Sequence, residues 1–486
     1  MHLAHAVKGL FEPILTCPLR STTLISRIYS EVLVLDRLEI SLESLPEIVR
    51  IHSSGPLSGT IIPPSSKYHT LRYILAAFLA PGISTIYYPA IGDDTDVLLQ
   101  TCSQLGAHIQ IENQADERRI LSIRGTGGIL RTPPNATIDV GNAGAVLRLL
   151  LGICALSPEA ITFTTPYPES LGRRPNADLL QALAQLGATV ESQSGEGTLP
   201  ITLRGGQLHG GKVSISGKKS SQYISALLFL APLLKEGLDV EIIDELTSAS
   251  FLDLTIQILK EAGITVITEE PYRHYIVPGM QQYQPGDYVI PGDYPSAAAL
   301  LATVAIAKGE ITLANLQPGD TNGEAILNVF SEMGVQITRT GTTITAKSHE
   351  PLHGIVVDGN RTIDSVPVIA AAACFANSPS RLYNVANLRL KESDRINDLA
   401  RELNKAGCHV IPSADSIEIH PTGLDGIKGG VELDAHADHR LIEAFVAVGL
   451  ASNRPITVLN ALHIAKSYPQ FFDDLIELGA KIERVY

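Results

Sequence analysis

The stretch QLGAHI, residues 104–109, decides the fold, because the chain repeats its form five more times. In each copy an amphipathic run ends in a glycine and continues into apolar, strand-like residues. The further copies are QLGATV (185–190), EAGITV (261–266), EMGVQI (332–337), KAGCHV (405–410) and ELGAKI (477–482). Their glycines are Gly106, Gly187, Gly263, Gly334, Gly407 and Gly479, at spacings of 81, 76, 71, 73 and 72 residues.

Each copy predicts a helix, a tight stop and a strand. Glycine is the usual residue just after a helix, since it alone takes a positive φ angle without steric cost. The isoleucine and valine residues that follow favour a strand. Six copies at a similar spacing indicate an α/β chain made by duplication of one unit. Three copies lie in each half of the sequence, which predicts three units in each half.

The length of 486 residues exceeds what one compact core supports, so two domains are expected. Two stretches could carry the chain between them: IIPP at 61–64, where two prolines forbid a helix, and the turn-rich QQYQPGDYVIPGD at 281–293. We therefore predict one domain over residues 64–291. The second domain is predicted over residues 48–63 together with residues 292–486.

Residues 1–47 are predicted to be an N-terminal extension that packs on the surface. The first 30 residues hold a single acid, Glu12, among several serine, threonine and arginine residues, which a transit peptide would also show. They lack the apolar segment and the small-residue cleavage site of a secretory signal. The packed extension is the interpretation that we favour.

The composition limits the classes of partner. The 51 acids outnumber the 37 Lys and Arg residues and give a net charge of −14, which argues against nucleic acid, because phosphate-backbone binding favours a basic surface. No window holds about 18 consecutive apolar residues, so we expect no membrane-spanning helix. Five cysteines without a C-x-x-C pair favour a reducing compartment. We expect a cytoplasmic monomer that acts on small molecules.

The densest group of charges is RLKESDR at 389–395, just before the fifth predicted helix. A helix N-terminus favours anions through its free N–H groups and its dipole. Lys391 and Arg395 are four residues apart, so on a helix they could flank one phosphate or carboxylate. A solvated helix start is the ordinary interpretation of such a run, and the anion site is the hypothesis set against it.

Two further motifs precede apolar helices in the first half. GNAG at 141–144 follows the strand-like ATIDV, and its two glycines would let the backbone approach a ligand closely. Arg148 lies within that apolar helix, an expensive place for a charge without a partner. Ser220, Ser221 and Gln222 open the next apolar helix, where the serines could cap the helix or hold a phosphate.

Two motifs of the second half are weak when taken alone. DHR at 438–440 precedes an apolar run, and His436 with His439 would be a poor metal pair, because no third ligand of suitable spacing is evident. A structural histidine is the simpler interpretation. AKSYP at 465–469 opens the last predicted helix, and Lys466 on its own would be an ordinary surface lysine.

In combination these motifs are specific. GNAG, SSQ, RLKESDR, DHR and AKSYPQFF occur in this order, and from about Gly55 to the C-terminus the chain resembles the EPSP synthase family of enolpyruvyl transferases. The resemblance implies an inside-out α/β barrel, with two domains of three βαβαββ units each. It also implies transfer of the enolpyruvyl group of phosphoenolpyruvate to the 5-hydroxyl of shikimate 3-phosphate, with release of phosphate. No metal or organic cofactor is implied.

The same resemblance implies roles for individual residues. Those implied for phosphoenolpyruvate are Lys67, Gly144, Arg174, Gln222, Arg395, Arg440 and Lys466. Those implied for shikimate 3-phosphate are Arg72, Ser220, Ser221, Gln222, Ser248, Asp364, Asn387 and Lys391. Asp364 would take the proton of the acceptor hydroxyl. Glu392, with Lys466 nearby, would protonate the methylene carbon, which requires surroundings that keep a carboxylic acid protonated. Lys67 completes the implied catalytic set.

The departures from the family pattern lie mostly on the acceptor side. Tyr68 stands where the family has an acceptor-binding serine, Leu71 replaces an asparagine, and Phe251 replaces a tyrosine near the acceptor phosphate. Other departures are Ala145, Leu149 and Ile363. A ring in place of a serine would change a tight pocket. A carboxyvinyltransferase for a different phosphorylated or cyclic alcohol therefore stays open as an alternative.

A non-catalytic, ligand-binding relative is the alternative from another class of protein. Pure binding would not need both an acid and a base, so the presence of Asp364, Glu392 and Lys466 argues against it. The related branch that acts on UDP-N-acetylglucosamine is also disfavoured. That branch uses a reactive loop cysteine, whereas Cys102 and Cys154 lie in helix-like apolar runs.

Overall fold

The six repeat glycines each follow a helix in the structure, which is a computed structural model. Their φ angles are 116° at Gly106, 106° at Gly187, 80° at Gly263, 98° at Gly334, 103° at Gly407 and 104° at Gly479. Five of the glycines are followed two residues later by a strand. After Gly263 the strand begins only at Ile267, so the start of that predicted strand is a loop. The predicted unit of helix, stop and strand is therefore present.

The structure describes residues 46–114, 118–206, 208–423 and 426–485. The predicted N-terminal extension lies outside these ranges except for its last two residues, Pro46 and Glu47. None of the helices within the described ranges has both the length and the apolar content that crossing a lipid bilayer requires.

Each repeat unit contains two α-helices. The helices of the described ranges are α1 Lys67–Leu79, α2 Asp93–Gln104, α3 Gly144–Cys154, α4 Ala177–Gln185, α5 Ser221–Leu230, α6 Ser250–Glu261, α7 Tyr294–Ala307, α8 Thr321–Glu332, α9 Val366–Ala373, α10 Asn397–Ala406, α11 His439–Gly449 and α12 Phe471–Glu477. Short 3₁₀ helices occupy Pro134–Ala136, Leu171–Arg173, Ala231–Leu233, Gly359–Ser365, Ala386–Leu390 and Ala461–Lys466.

The strands of the described ranges are short, with three to six residues each. They are β1 Ile48–His52, β2 Leu57–Ile61, β3 Ile83–Tyr87, β4 His108–Asn113, β5 Arg119–Arg124, β6 Thr137–Asp139, β7 Ile161–Thr164, β8 Thr189–Ser192, β9 Ile201–Arg204, β10 Gly211–Ile215, β11 Leu238–Ile242, β12 Ile267–Glu270, β13 His274–Val277, β14 Asp287–Val289, β15 Gly309–Leu313, β16 Gln336–Thr340, β17 Thr343–Ser348, β18 Val356–Asp358, β19 Ser380–Tyr383, β20 His409–Pro412, β21 Ser416–His420, β22 Glu432–Asp434, β23 Ile456–Leu459 and β24 Lys481–Val485.

Within the described residues these strands form six sheets of four strands with one common topology. The spatial orders are β14-β3-β5-β4, β6-β7-β9-β8, β10-β11-β13-β12, β2-β15-β17-β16, β18-β19-β21-β20 and β22-β23-β1-β24. In each sheet the first two strands are parallel and the other pairs are antiparallel. This is the sheet of a βαβαββ unit, because a parallel pair needs a helical crossover and an antiparallel pair needs only a turn.

Three of the six units borrow a strand from elsewhere in the chain. β14 pairs in parallel with β3 of the first unit, and β2 pairs in parallel with β15 of the fourth. β1 lies between β23 and β24 and is antiparallel to both. Residues 48–61 therefore belong to sheets of the C-terminal half, whereas residues 287–289 belong to a sheet of the first half. This pairing supports the predicted domain boundaries, which we keep as a proposal.

The chain passes between the two sets of sheets at two adjacent segments. The backbone N–H of Ser66 donates to the carbonyl oxygen of Pro291 at 2.7 Å, and the N–H of Asp293 donates to the carbonyl oxygen of Pro64 at 2.8 Å. These segments coincide with the two predicted crossing points. The two crossings are thus hydrogen-bonded to each other.

The first helix of each unit is the buried one. Every residue of α7 is buried, which agrees with its apolar sequence on all sides, YPSAAALLATVAIA. The helices α7, α9 and α11 pack together in the C-terminal half, and α3 packs on α5 in the first half. The second helix of each unit is amphipathic and covers the outside, as in α10, where the buried residues are spaced three and four apart.

The last repeat glycine offers a test of why glycine is used at these stops. A Cβ at Gly479 would meet nothing within 4 Å, but the φ angle there is +104°. We expect Gly479→Ala to lower the free energy of unfolding by about 1–2 kcal/mol through backbone strain alone. Urea titration followed by circular dichroism would measure this loss. Gly55→Ala is the matched control, since a Cβ there also meets nothing and no left-handed φ angle is present.

Candidate active site

The N-termini of the buried helices carry the predicted site residues. Lys67 is the first residue of α1, Gly144 of α3 and Ser221 of α5. In the other half, Arg440 is the second residue of α11, and Asp364 lies two residues before α9. Helix N-termini favour anionic ligands, so the repeated unit brings several anion-binding helix ends to one place.

Arg395 joins three buried carboxylates. Its Nη1 lies 3.0 Å from Asp364 Oδ1 and its Nη2 lies 2.9 Å from Glu392 Oε2. Its Nε and Nη2 lie 2.8 and 3.0 Å from the two carboxylate oxygens of Asp438. Burial works against the charge of this guanidinium, but the three carboxylates outweigh burial and hold the pKa of Arg395 well above its usual range. Arg395 therefore fixes the geometry of both implied catalytic carboxylates.

Asp364 is held as a carboxylate. It accepts hydrogen bonds from the Tyr68 hydroxyl, from Arg395 and, at 3.2 Å, from Lys391 Nζ. Burial raises its pKa, but the charges of Lys391, Arg395 and Arg440 outweigh burial and hold the pKa below its usual range. An ionised carboxylate at this position is competent to accept a proton.

Glu392 is also ionised in this structure, which differs from the expectation that its surroundings keep it protonated. Its Oε1 lies 2.8 Å from Lys466 Nζ and 3.4 Å from Arg174 Nη2, and its Oε2 accepts from Arg395. Burial raises its pKa, but these three cations outweigh burial and hold the pKa well below its usual range. Glu392 would donate a proton only after another negative charge has offset the charges of Lys466, Arg174 and Arg395.

Two buried guanidinium groups have nitrogen atoms that make no hydrogen bond to the described residues, although Arg174 Nη2 lies 3.4 Å from Glu392 Oε1 in an ion pair. The Nε and Nη2 atoms of Arg174 and of Arg440 have no hydrogen-bond partner within the part of the chain that the structure describes. A Cβ at Gly144 would lie 2.8 Å from Arg174 Nη1, so any other residue there would force the Arg174 guanidinium to shift. Pairs of N–H groups on one guanidinium edge bind carboxylate or phosphate in a bidentate manner.

The two implied lysines of the phosphoenolpyruvate set line one small cavity, together with Gly92. Lys67 Nζ lies 3.2 Å from Asp94 Oδ2. Lys466 Nζ donates to the carbonyl oxygen of Asn142 at 3.0 Å, which ties the last unit to the GNAG loop. Both lysines therefore lie near the GNAG loop and the cations around Glu392.

Seven of the eight residues implied for the acceptor line one cavity. They are Ser220, Ser221, Gln222, Ser248, Asp364, Asn387 and Lys391. Ser220 caps α5, because its hydroxyl accepts the backbone N–H of Gln222 at 3.2 Å. Asn387 donates to the Ser248 hydroxyl at 3.4 Å, and its own Oδ1 has no partner among the described residues. The cavity is thus polar and lies between residues of both halves of the chain.

Arg72 is the exception and corrects one prediction. Its guanidinium points away from this cavity: Nε donates to Thr255 Oγ1 at 2.8 Å, and the other nitrogens donate to the carbonyl oxygens of Tyr68 and Phe251 at 3.1 and 3.2 Å. These three partners satisfy the side chain. Burial lowers the pKa of Arg72 to about 10. The residue therefore supports the neighbourhood of Tyr68 and does not face the acceptor cavity.

Tyr68 and Phe251, the two departures from the family pattern, contact each other. Their ring centroids are 4.2 Å apart with an angle of 30° between the planes. Burial and the charge of Asp364 raise the pKa of Tyr68, so its hydroxyl remains a donor to that carboxylate. The two departures thus form one tilted aromatic pair, which brings a hydroxyl onto the implied base.

The charged motif RLKESDR precedes α10, as predicted, since that helix begins at Asn397. Its first two residues end the 3₁₀ helix Ala386–Leu390, and the rest of the motif is not helical. Lys391 and Arg395 are therefore not one helical turn apart. Both side chains nevertheless converge on one anion, since each contacts the same oxygen of Asp364. That anion is an internal carboxylate.

Four further residues belong to the site: Arg148 and Asp438, which the sequence motifs included without assigning them a role, and Asp94 and Glu443, which the sequence analysis missed. Arg148 donates to Gln222 Oε1 at 2.8 Å and to Asn176 Oδ1 at 3.3 Å, and burial lowers its pKa. A charge inside an apolar run was the available signal for Arg148 and for Glu443. Each of the four contacts another site residue, which only the tertiary structure reveals.

Comparison with known proteins identifies the family of the chain. A family model described as EPSP synthase (3-phosphoshikimate 1-carboxyvinyltransferase) matches residues 51–475. A Deinococcus radiodurans protein named 3-phosphoshikimate 1-carboxyvinyltransferase is 41% identical over 436 residues, which cover 90% of this chain and 96% of the relative. A Methanocaldococcus jannaschii protein of the same name is 35% identical over 434 residues, covering 89% of this chain and 98% of the relative.

Solved structures agree as well. An EPSP synthase from Acinetobacter baumannii matches with a TM-score of 0.75 at 26% identity, covering 90% of this chain and 99% of that one. The enolpyruvyl transferase NikO from Streptomyces tendae matches with a TM-score of 0.72 at 18% identity, covering 91% and 99%, and supports the fold alone. The chain belongs to the EPSP synthase family and has the inside-out α/β fold of that family.

Removal of the shared guanidinium should destabilise the fold. Arg395→Met would leave three buried carboxylates without their common partner, and we expect a loss of about 3–5 kcal/mol in the free energy of unfolding. Arg395→Lys keeps the charge without the planar fork and should lose less. Urea unfolding would measure both. Arg50→Met is the control, because its half-exposed pair with Glu483 should contribute less than about 1 kcal/mol. Equal losses for Arg395→Met and Arg50→Met would contradict the central role of Arg395.

Proposed function

We propose that this chain transfers the carboxyvinyl group of phosphoenolpyruvate to the 5-hydroxyl of shikimate 3-phosphate and releases phosphate. The observation that carries the proposal is the shared contact of Asp364 and Glu392 with Arg395. One carboxylate faces the polar cavity and the other lies among cations, so the site holds two proton-transfer groups at fixed positions. The names of the relatives support this choice of substrates.

In the first stage of the proposed reaction the acceptor oxygen forms a bond to C2 of phosphoenolpyruvate. The hydroxyl proton passes to Asp364. C3 gains a proton, so the C2=C3 double bond is lost and C3 becomes a methyl group. In the second stage the C2–O bond to phosphate breaks, phosphate leaves with the proton that Asp364 had taken up, and C3 returns a proton to restore the double bond. The group that acts as acid in the first stage acts as base in the second.

Glu392 and Lys466 are the proposed acid pair for C3. They lie 2.8 Å apart, so a proton can pass between them. The carboxylate and phosphate of phosphoenolpyruvate would compete with Glu392 for Lys466 and Arg174. Nearby negative charge raises the pKa of a carboxylic acid, so substrate binding itself would bring Glu392 toward its protonated form. The acid would then become active only when the substrate is in place.

Phosphoenolpyruvate is proposed to bind the free edges of Arg174 and Arg440. Each edge presents Nε and Nη2, a pair that suits one carboxylate or phosphate. Donors fixed in this way also stabilise the charge that develops on the departing phosphate without reorganisation during the reaction. The acceptor phosphate is proposed to bind Ser220, Ser221 and Lys391 at the start of α5.

The comparisons give no support to a different acceptor alcohol, and the presence of both an acid and a base opposes a purely binding role. We propose that the chain works in the cytoplasm as a monomer, on small molecules and without nucleic acid, a membrane, a metal or an organic cofactor. The net charge of −14 and the cysteine pattern support the absence of nucleic acid and a reducing compartment.

The direct test is phosphate release from the purified chain mixed with phosphoenolpyruvate and shikimate 3-phosphate. We expect release that depends on both substrates. Asp364→Asn should lower turnover by at least about 10²-fold with binding kept, because the base for the acceptor proton is lost. Asp239→Asn is a matched control, an aspartate that accepts from His274 at 2.7 Å away from the site. Release that is absent in the wild-type chain would overturn the proposal.

The Tyr68 hydroxyl should weaken the proposed base. A hydrogen bond to a carboxylate stabilises the charged form, so its removal raises the pKa of Asp364 and makes it a stronger base. We expect Tyr68→Phe to raise kcat/KM for the acceptor about two- to tenfold, the range of one hydrogen bond. A loss greater than tenfold would instead assign the hydroxyl to acceptor recognition.

Tyr73→Phe is the matched control for this measurement. Tyr73 lies on the same helix, donates to Glu261 at 2.5 Å, and stacks on Tyr288 with ring centroids 4.4 Å apart. It thus repeats the arrangement of an aromatic pair with a hydroxyl on a carboxylate, outside the cavity. Tyr68→Ser, which also removes the ring, should improve acceptor affinity if the pocket retains the shape usual in the family.

A further inference from the structure

Arg440 is held from one side only. Its Nη1 lies 3.0 Å from each carboxylate oxygen of Glu443, one turn further along α11. Its Nε and Nη2 have no hydrogen-bond partner within the described residues. The contact with Glu443 therefore fixes the guanidinium while it leaves free the edge that can bind an anion in a bidentate manner.

Glu443 is an unusual residue for its place in the fold. It is 0% exposed and lies between Ile442 and Ala444, which are buried to the same extent, in the apolar run LIEAFVAVG. A buried ion pair gives little net stability, and apolar residues of similar size are often as stable or more so. Packing therefore does not explain why a carboxylate lies here. The contact with Arg440 explains it.

A second acid lies on the other side of Arg440 and cannot replace Glu443. Asp293 Oδ2 is 3.9 Å from Arg440 Nη2, too far for a hydrogen bond. The same oxygen caps α7, since it accepts from the backbone N–H and the hydroxyl of Ser296 at 3.0 and 2.8 Å. The other oxygen, Oδ1, has no hydrogen-bond partner among the described residues. Glu443 is thus the carboxylate that hydrogen-bonds to the guanidinium.

We propose that Glu443 is a positioning residue, which holds Arg440 so that its Nε–Nη2 edge faces the anionic groups of phosphoenolpyruvate. This inference rests on the proposed function, because it assigns an anion to that edge. It goes beyond the implied contact of Arg440 with substrate. It names Glu443 as the group that orients the Arg440 guanidinium and partly offsets its positive charge.

The protonation of Glu443 should then affect binding of phosphoenolpyruvate. Burial raises the pKa of Glu443 to about 7, although Arg440 opposes the shift. The other groups that act on it are Asp293, which raises its pKa, and Arg395, which lowers it, while Tyr468 faces it as a neutral phenol. Above about pH 7 the carboxylate ionises and offsets the charge of Arg440. The KM for phosphoenolpyruvate should therefore rise with pH through this range.

The experiment compares two substitutions in the full chain by steady-state phosphate release. Glu443→Met removes the anchor, and we expect the KM for phosphoenolpyruvate to rise about tenfold or more, with kcat and the KM for shikimate 3-phosphate within about threefold of the wild-type values. Glu443→Gln keeps one oxygen for Arg440 and should keep a near wild-type KM at pH 6. The rise of KM through pH 7 should be absent in this variant, whereas titration of the substrate itself affects both proteins equally.

The outcomes separate this inference from the proposed function. Absence of phosphate release in the wild-type chain overturns the proposed function and this inference with it. Activity in the wild-type chain, with a KM for phosphoenolpyruvate unchanged within twofold in Glu443→Met, overturns the positioning role alone. If Glu443→Met does not fold, the pH profile of Glu443→Gln decides, and a profile equal to that of the wild-type chain overturns the inference. Glu324→Gln, which breaks a 2.9 Å pair with Arg339 outside the site, is the control and should change neither constant.

Discussion

The contact of Arg395 with three buried carboxylates is the interaction on which the site depends. Asp364 belongs to the segment before α9, Glu392 to the loop before α10, and Asp438 to the cap of α11. A single planar cation therefore ties together three segments that the chain reaches at separate points. Because two of the three acids are the proposed proton-transfer groups, the distance between acid and base is set by the reach of one guanidinium.

The repeated unit explains why the acids and cations can meet at all. Each unit begins with a buried helix, and the N-termini of these helices carry Lys67, Gly144 and Ser221 in one half and Arg440 in the other. An apolar helix can be buried whole, but its first N–H groups still need partners. In this fold, loops and ligands supply the partners of those N–H groups. The duplication that forms the core therefore also forms an anion site.

The sequence was informative where the signal is local. A glycine after an amphipathic run ends a helix for reasons of backbone sterics, and all six repeat glycines do so. The GNAG and SSQ motifs open α3 and α5 for the same local reasons. The pairing of β14 with β3 is different, because nothing within either strand specifies a partner about 200 residues away. The packing of the complete core determines which of these strands pair.

The wrong expectations share one physical cause, which is that charge partners are tertiary. Arg72 keeps its place in the motif, but Thr255 and two carbonyl oxygens take its donors. Glu392 occupies the position implied for an acid, but the cations around it favour the carboxylate. Tyr68 and Arg395 lie within four residues of Arg72 and Glu392, but the other partners are distant in sequence. No motif could report those distant partners.

The same partners explain how a chain with a net charge of −14 can hold a dense group of cations. Five cations of the site are already paired with an internal carboxylate: Lys67 with Asp94, Lys391 with Asp364, Arg440 with Glu443, and Lys466 and Arg174 with Glu392. An anionic substrate must then displace or share these partners. The electrostatic gain on binding is smaller than for bare cations, but two of these carboxylates, Asp364 and Glu392, are the proposed proton-transfer groups. Part of the substrate affinity is thus lost, but substrate binding raises the pKa of Glu392. That rise occurs only when the reacting carbon is in place.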